Sequence, residues 1–591
     1  MNTDIQNLFK DKVLGHPAGL FVLFFTEMWE RFSFYGMRVL LVNFLTYAVV
    51  GANPGWGWSA ENAGALFGTY AMLLYITPIV GGVIADKITG YRWAVVIGSL
   101  IMALGHASMA LETEFSLYLG LGLLVIGTGF FKPNITSIIS EMYKENSEKK
   151  DGAYTIFYMG VNAGAFFGMM LCGYLAEKVG WSYGFGLAGI FMLLGTLQFW
   201  LSGNLFGQIG KKPSKVYEVE DVQDADNSIA EISEEKEVEK ENPFTLLDKI
   251  LIAVSSIIGL GYAINDPMSK IAGIDIFSAF KIGDFEGQYV AVLFALFAFL
   301  VLVIGRILRY TAVVRDRMIA FIVFAFFTVF FWLSFEQGAS SLVLFARDNV
   351  DRILTGDSAL VFNIVNALLT VVPLILITYV LFLLWKKTFK KIPYSNIVLA
   401  ICFLTMWGIV IWMLNREFSA EVSEITVSWF SILNSFFIIV FATFFSKWWE
   451  SKYNPSAASK YALGLIIMAI GFGLLAFGSY GIEEGVKVSM LWLILAYLFH
   501  TLGELCLSPV GLSYVSKLVP ARMIALMFGM WYLAIAIGNK LAAVLGGQIE
   551  NITKEYSLST FFLIFTIVPL VAGVLVFLLN PVLKKLMHGV K

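Results

Sequence analysis

The sequence predicts an all-α protein built to sit in a lipid bilayer. Three observations carry that expectation. The 591 residues are 58% hydrophobic. Only 14% are charged, against about 25% in an average soluble domain. Apolar stretches near the roughly 20 residues that cross a bilayer recur from end to end. The net charge of −2 offers no polybasic field for nucleic acid. Cys172, Cys402 and Cys506 fall inside apolar runs without metal-ligand spacing, so they read as small core residues. The polar opening, MNTDIQNLFKDKVLGHPAG, meets a long span without the short apolar region and small-residue site of a cleaved signal peptide.

The elements follow in order. Six spans are expected near 18–48, 61–86, 91–111, 115–141, 153–177 and 182–204. Residues 205–246 then break the pattern. They are acidic, polar and poor in aromatics, which reads as a solvated cytoplasmic linker. Ten more spans are expected near 247–264, 287–308, 317–345, 358–386, 394–415, 426–449, 457–479, 486–516, 521–547 and 558–585. Charge supports this count. With the amino terminus cytoplasmic, Lys87 and Arg92, Lys144 and Lys149, Arg306 and Arg309, Lys386 and Lys387, Lys447 and Lys452, and Lys584 and Lys585 all fall on one side. The 49–60 loop opposite has no Lys or Arg, and 112–114 carries only Glu112 and Glu114. Positive residues concentrate on the cytoplasmic face of membrane proteins, so an even number of spans with both termini cytoplasmic is expected.

Six spans plus six, in two related halves, is the plan of the major-facilitator fold. The expected organisation is therefore a six-helix bundle at 1–204, the linker at 205–246, and an extra inter-bundle pair at 247–310. A second six-helix bundle fills 311–591, with an inserted pair at about 358–415. The total is 14–16 spans.

The first span is the informative one. "LFVLFFTEMWERFSFYGMRVLLVNFLTY" carries Glu27, Glu30, Arg31 and Arg38 in an otherwise apolar run. Each such group at the bilayer centre costs about 2.5–3.5 kcal/mol even on the lenient insertion scale. Steps of three and four put Glu27 beside both Glu30 and Arg31, with Tyr35 and Arg38 further along the same face. Two carboxylates beside one guanidinium leave a spare negative charge that a proton can neutralise. A structural ion pair locking helices together is the bland alternative. His106 and His500, also in apolar spans, read as hydrogen-bonded packing residues. No phosphate-cradling Gly-Lys-Ser/Thr motif and no catalytic constellation is present, so no enzyme, metal or cofactor is expected.

"EMWERFSFYG" resembles the ExxERFxYYG motif of the proton-dependent oligopeptide transporter family. "GTGFFKPN" (127–134), "FYMGVNAGAFFG" (157–168), "FWLSFEQGASSL" (331–342), "VSWFSILNSFFI" (427–438), "YNPSAASKYALGL" and "GELCLSPVGLSYVSKLVP" (503–520) resemble further family patterns and fall in family order. Phe34 stands where the family has the first tyrosine of its YYG, and Ser435 where a proline is usual. The resemblance implies proton-coupled symport of di- and tripeptides by alternating access across the inner membrane. It implies proton coupling at Glu27, Glu30 and Arg31. Arg38 and Lys132 would meet the peptide carboxylate, and Asn162, Glu336 and Asn434 its amino group. Tyr35, Tyr75, Trp332, Glu504, Ser508 and Trp531 complete the implied substrate-binding set. Lys132 and Glu504 would form a gate between the halves. The partners expected are a short peptide, protons and membrane lipid, with the chain working as a monomer. Two alternatives remain: a proton-coupled transporter of nitrate, an amino-acid conjugate or a drug-like molecule, and a peptide sensor that does not transport.

Overall fold

The computed structural model describes residues 7–146, 149–212, 242–483, 485–519 and 523–590. Most of the acidic linker expected at 205–246 lies outside those residues. A short hairpin of β1 (Lys12–Val13) and β2 (His16–Pro17) leads into the first helix. His16 Nδ1 lies 2.7 Å from the Tyr143 hydroxyl. Burial, and then the Lys149 charge, lowers the His16 pKa from 6.5. A base held neutral in the fold binds its proton more readily when unfolded. The anchor is therefore expected to weaken as pH falls through 6.5 and below. His16→Gln should flatten that part of a stability–pH profile.

Sixteen helices of 19 to 33 residues make the body of the described chain. The first six are α1 (Ala18–Thr46), α2 (Ala60–Ile84), α3 (Tyr91–Met109), α4 (Glu114–Met142), α5 (Lys150–Lys178) and α6 (Trp181–Leu201). The pair expected between the two bundles is α7 (Leu246–Ala272) and α8 (Gly287–Ile307). Then come α9 (Ala312–Phe335), the short α10 (Ser341–Asp348), and the inserted pair α11 (Gly356–Thr388) and α12 (Pro393–Ser419). The chain closes with α13 (Val427–Glu450), α14 (Ala457–Gly478), α15 (Met490–Leu518), α16 (Ile524–Gly546), the short α17 (Ile549–Glu555) and α18 (Leu558–Leu586).

Fifteen of the long elements are apolar enough to cross a membrane by composition alone. The exception is α1, with its four ionisable residues. A helix satisfies its own backbone, which lipid demands. The open first turns are closed locally: Ser59, Thr113, Thr245, Ser456 and Ser557 each accept a backbone N–H at a helix start. Two expected spans differ in detail. The stretch 317–345 is broken at Glu336–Ala339, where a 3₁₀ turn separates α9 from α10. The span expected to end at 264 runs on to Ala272 through Pro267. A proline cannot bond the carbonyl four residues back. That carbonyl, on Ala263, instead accepts the Thr69 hydroxyl of α2 at 2.5 Å.

The site depends on how closely α1 is held. Gly160, Gly164 and Gly168 face it at steps of four along α5. A Cβ at these positions would stand 2.9 Å from Phe24 O, 2.2 Å from Met28 O and 2.1 Å from Phe32 O. This is small-residue packing, in which absent side chains let two backbones touch. We expect Gly164→Val to drive α5 off α1 and to cost folded protein, read as loss of the monodisperse peak on size exclusion. Gly122→Val, with open space at its Cβ, is the matched control.

In the second half α14 packs between α15 and α18. The halves meet along α2 against α16 and α5 against α13. The extra pair lies outside this body through α7 on α2, and the inserted pair through α12 on α6. Two small strand pairs sit at the end away from the basic loops: β3 (Val350–Asp351) with β6 (Val488–Ser489), and β4 (Ile353–Thr355) with β5 (Val422–Glu424).

Candidate functional site

A cavity lies at the meeting of the two halves. Its empty volume, including the part open to solvent, is about 1280 Å³. From the first half it is lined by Arg31, Phe34, Tyr35 and Arg38 of α1, Tyr75 of α2, Lys132 of α4, and Tyr158 and Asn162 of α5. From the second come Trp332 and Phe335 of α9, Glu336 of the 3₁₀ turn, Ser431 and Asn434 of α13, and Tyr497, His500 and Glu504 of α15. Three cations thus enter from one half and two carboxylates from the other.

The α1 stripe forms as its spacing requires. Arg31 Nε lies 2.7 Å from Glu27 Oε1 and 2.8 Å from Glu30 Oε2. Glu30 is wholly buried behind the arginine, and neither glutamate lines the cavity. Glu27 Oε2 and Glu30 Oε1 have no hydrogen-bond donor. Two buried carboxylates therefore share one guanidinium with oxygens to spare. One proton would remove both the excess charge and an orphaned acceptor. Phe34 faces both guanidiniums, 5.4 Å from that of Arg31 and 6.0 Å from that of Arg38. The ring attracts cations through its face, so the missing tyrosine hydroxyl does not remove that contact.

Arg38 forms an ion pair with Glu336 across the cavity. The break after α9 makes this possible, because it carries Glu336 inward at a helix end. Asn434 Nδ2 donates to Glu504 Oε2 at 3.0 Å and to Thr501 Oγ1 at 3.1 Å. Asn162 Nδ2 donates to Tyr158 O at 3.0 Å. Lys132 Nζ sits 4.5 Å over the Tyr75 ring. Lys132 and Glu504 line the same cavity without meeting: the lysine turns to Tyr75, the glutamate to Asn434.

The halves are joined at the end away from the basic loops. Glu177 of α5 accepts the Val427 and Ser428 amides at the start of α13, at 2.8 and 3.0 Å. Arg347 Nη1 donates to Thr46 Oγ1 at 2.7 Å. Lys540 Nζ of α16 donates to Thr69 Oγ1 of α2 at 3.0 Å. The conformation is closed at that end.

Two site residues expected from the sequence stand elsewhere. Trp531 is 3% exposed and packs against Phe321, with ring centroids 6.0 Å apart. Its large apolar face is used by the second-half core, so it does not line the cavity. Ser508 also lies outside the lining. His106 and His500 pack as expected but without the expected hydrogen bonds: His106 Nδ1 and His500 Nε2 have no partner. His500 instead packs at a tilt against Phe472, with ring centroids 4.3 Å apart. Sequence reasoning missed Tyr158, Ser431, Tyr497 and His500 as lining residues. Helical spacing could have found them. They precede Asn162, Asn434 and Glu504 by three, four or seven positions, which places them on the same helix face.

The POT family model matches residues 92–274 and 396–564, more than half of the chain. The chain belongs to the POT family. It is 29% identical to the peptide transporter YePEPT of Yersinia enterocolitica, over 97% of this chain and 96% of the relative. It is 26% identical to the di-/tripeptide transporter of Lactococcus lactis, over 99% and 100%. A solved structure of peptide transporter POT in complex with sulfate is 27% identical, covers 100% of both chains and superposes with a TM-score of 0.69. A POT family transporter in complex with 5-aminolevulinic acid is 25% identical, over 99% of this chain and 100% of the other, with a TM-score of 0.70. This POT-family chain is a multi-pass membrane protein with the major-facilitator architecture.

Proposed function

We propose that the protein imports di- and tripeptides by proton-coupled symport across the inner membrane, with both termini cytoplasmic and the monomer as the working unit. The observation that carries this is the polarity of the cavity: Arg31, Arg38 and Lys132 on one wall, Glu336, Asn434 and Glu504 on the other. A zwitterionic peptide presents a carboxylate and an ammonium at a fixed separation. Guanidinium, ammonium and carboxylate groups recognise those ends by charge-assisted hydrogen bonds. Nitrate and similar anions would leave the carboxylate wall unused.

Arg38 and Glu336 neutralise each other while the cavity is empty. A peptide inserted between them replaces one ion pair by two, its carboxylate toward Arg38 and its amino group toward Glu336. Competition of this kind couples occupancy to the contact between α1 and the end of α9, and so to which side opens. Lys132 and Glu504 would meet when the opposite end closes. Glu27, Glu30 and Arg31 carry the proton in this reading.

Purified protein in liposomes tests it. An inward proton gradient should drive accumulation of labelled dialanine above its external concentration. Unlabelled dialanine should compete and nitrate should not. Binding without accumulation would support a sensor. No dialanine binding or uptake by folded protein would overturn the peptide reading.

A further inference from the structure

The inter-bundle helix α7 carries charges that a passive membrane spacer does not need. Asp266 is wholly buried and Lys540 of α16 is 3% exposed. Lys540 Nζ lies 2.5 Å from Asp266 Oδ2. The same ammonium donates to Thr69 Oγ1 at 3.0 Å and to Ala65 O at 3.2 Å, both on α2. Its three donors therefore reach two different helices outside its own. Lys270 Nζ continues the chain of charge, 3.3 Å from Asp266 Oδ1 and 3.2 Å from Glu61 Oε1 of α2. Two cations and two anions balance.

The connectivity divides unequally. Besides this cluster, α7 is held to α2 by the Thr69–Ala263 bond, which Pro267 makes available. Its ionic link to α16 runs through Lys540. So α7 rides with the first half, while Lys540 belongs to the second. Opening the closed end must draw α16 away from α2. We propose that Asp266 and Lys540 form an ionic latch, through which the inter-bundle helix holds that end shut and sets the balance between the two facing states.

A buried ion pair is a poor source of net stability but is costly to break from one side, since the remaining charge stays buried. That asymmetry suits a latch. In the shut state the pair is dry and strong. As the seam parts, water screens both charges and the attraction falls steeply. Asp266 retains Lys270 when Lys540 leaves, so the buried carboxylate keeps a cation, which it then shares with Glu61.

The proposal rests on alternating access as read above, but its test needs no peptide. Nitroxide labels on cysteines placed at Leu111 and Tyr480, 69% and 81% exposed, report across the seam at the closed end. The native cysteines are buried. A second pair at Val50 and Leu111 lies within the first half and reports its integrity. Asp266→Asn should raise the ratio of long to short distances across the seam by about tenfold, the effect of about 1.4 kcal/mol. Lys540→Met should do likewise. The double variant should open no further than the worse single, because both remove one bond. Asp266→Glu should restore the native distribution. An unchanged distribution in both single variants, or single effects that simply add, would overturn the latch. If Asp266→Asn fails to fold, Lys540→Met and the double variant carry the same test. Failure of dialanine uptake in the native protein would sink the peptide reading and leave these distances standing.

Discussion

Glu30→Gln should abolish gradient-driven accumulation of dialanine while leaving exchange of labelled for unlabelled peptide across the membrane. Glu30 is wholly buried, pairs with Arg31 at 2.8 Å, and shares that arginine with Glu27. Glutamine keeps the shape and removes the titratable group. The remaining Glu27–Arg31 pair is then neutral without a proton, so nothing ties the conformational change to proton movement. Exchange needs only that the loaded carrier turn over, and the cavity walls are untouched. Arg31→Ala should do more damage, because it leaves two buried carboxylates with no counter-ion. The measurement is uptake in proteoliposomes with and without an inward proton gradient, beside counterflow in the same vesicles. Gradient-driven accumulation that survives Glu30→Gln would place the coupling proton elsewhere.

Glu336→Gln should weaken dialanine binding by about 10- to 150-fold, because a hydrogen bond to a charged group is worth about 1.5–3 kcal/mol. The substitution acts on two partners. It takes the carboxylate from the peptide ammonium and leaves Arg38 without its ion pair. Acetylated dialanine separates these effects. It has no ammonium, so it should bind the native protein weakly and lose little further affinity in the variant. Equal losses for both ligands would mean that Glu336 acts only by holding Arg38. Isothermal titration of the purified protein with the two ligands decides between them.

Much of the architecture was legible along the chain. Bilayer thickness dictates span length, and the cost of unsatisfied backbone in lipid dictates helix. Sixteen apolar runs therefore became sixteen long helices among the described residues. The α1 stripe was equally legible, since Glu27, Glu30 and Arg31 lie on one helix and their meeting needs only the 3.6-residue period. The break in the span around Glu336 was not. It sits inside a continuous apolar run, and the turn is stabilised by tertiary bonds such as Gln337 Nε2 to Ala542 O at 2.9 Å. The run of α7 past 264 was not legible either, because the backbone bond that Pro267 forgoes is replaced by Thr69 from another helix.

By itself, then, the sequence determined what obeys local periodicity and the solvent: the helices and the charge pairs within one helix. Only the tertiary structure decided what depends on which helices touch. It placed Arg38 against Glu336, turned Lys132 toward Tyr75 rather than Glu504, withdrew Trp531 into the second-half core, and brought Asp266 to Lys540. The physical reason is range. A helix satisfies its own backbone and sets its own faces within a few residues. Contacts between segments hundreds of residues apart follow from packing, and a buried charge must take the partner that packing offers.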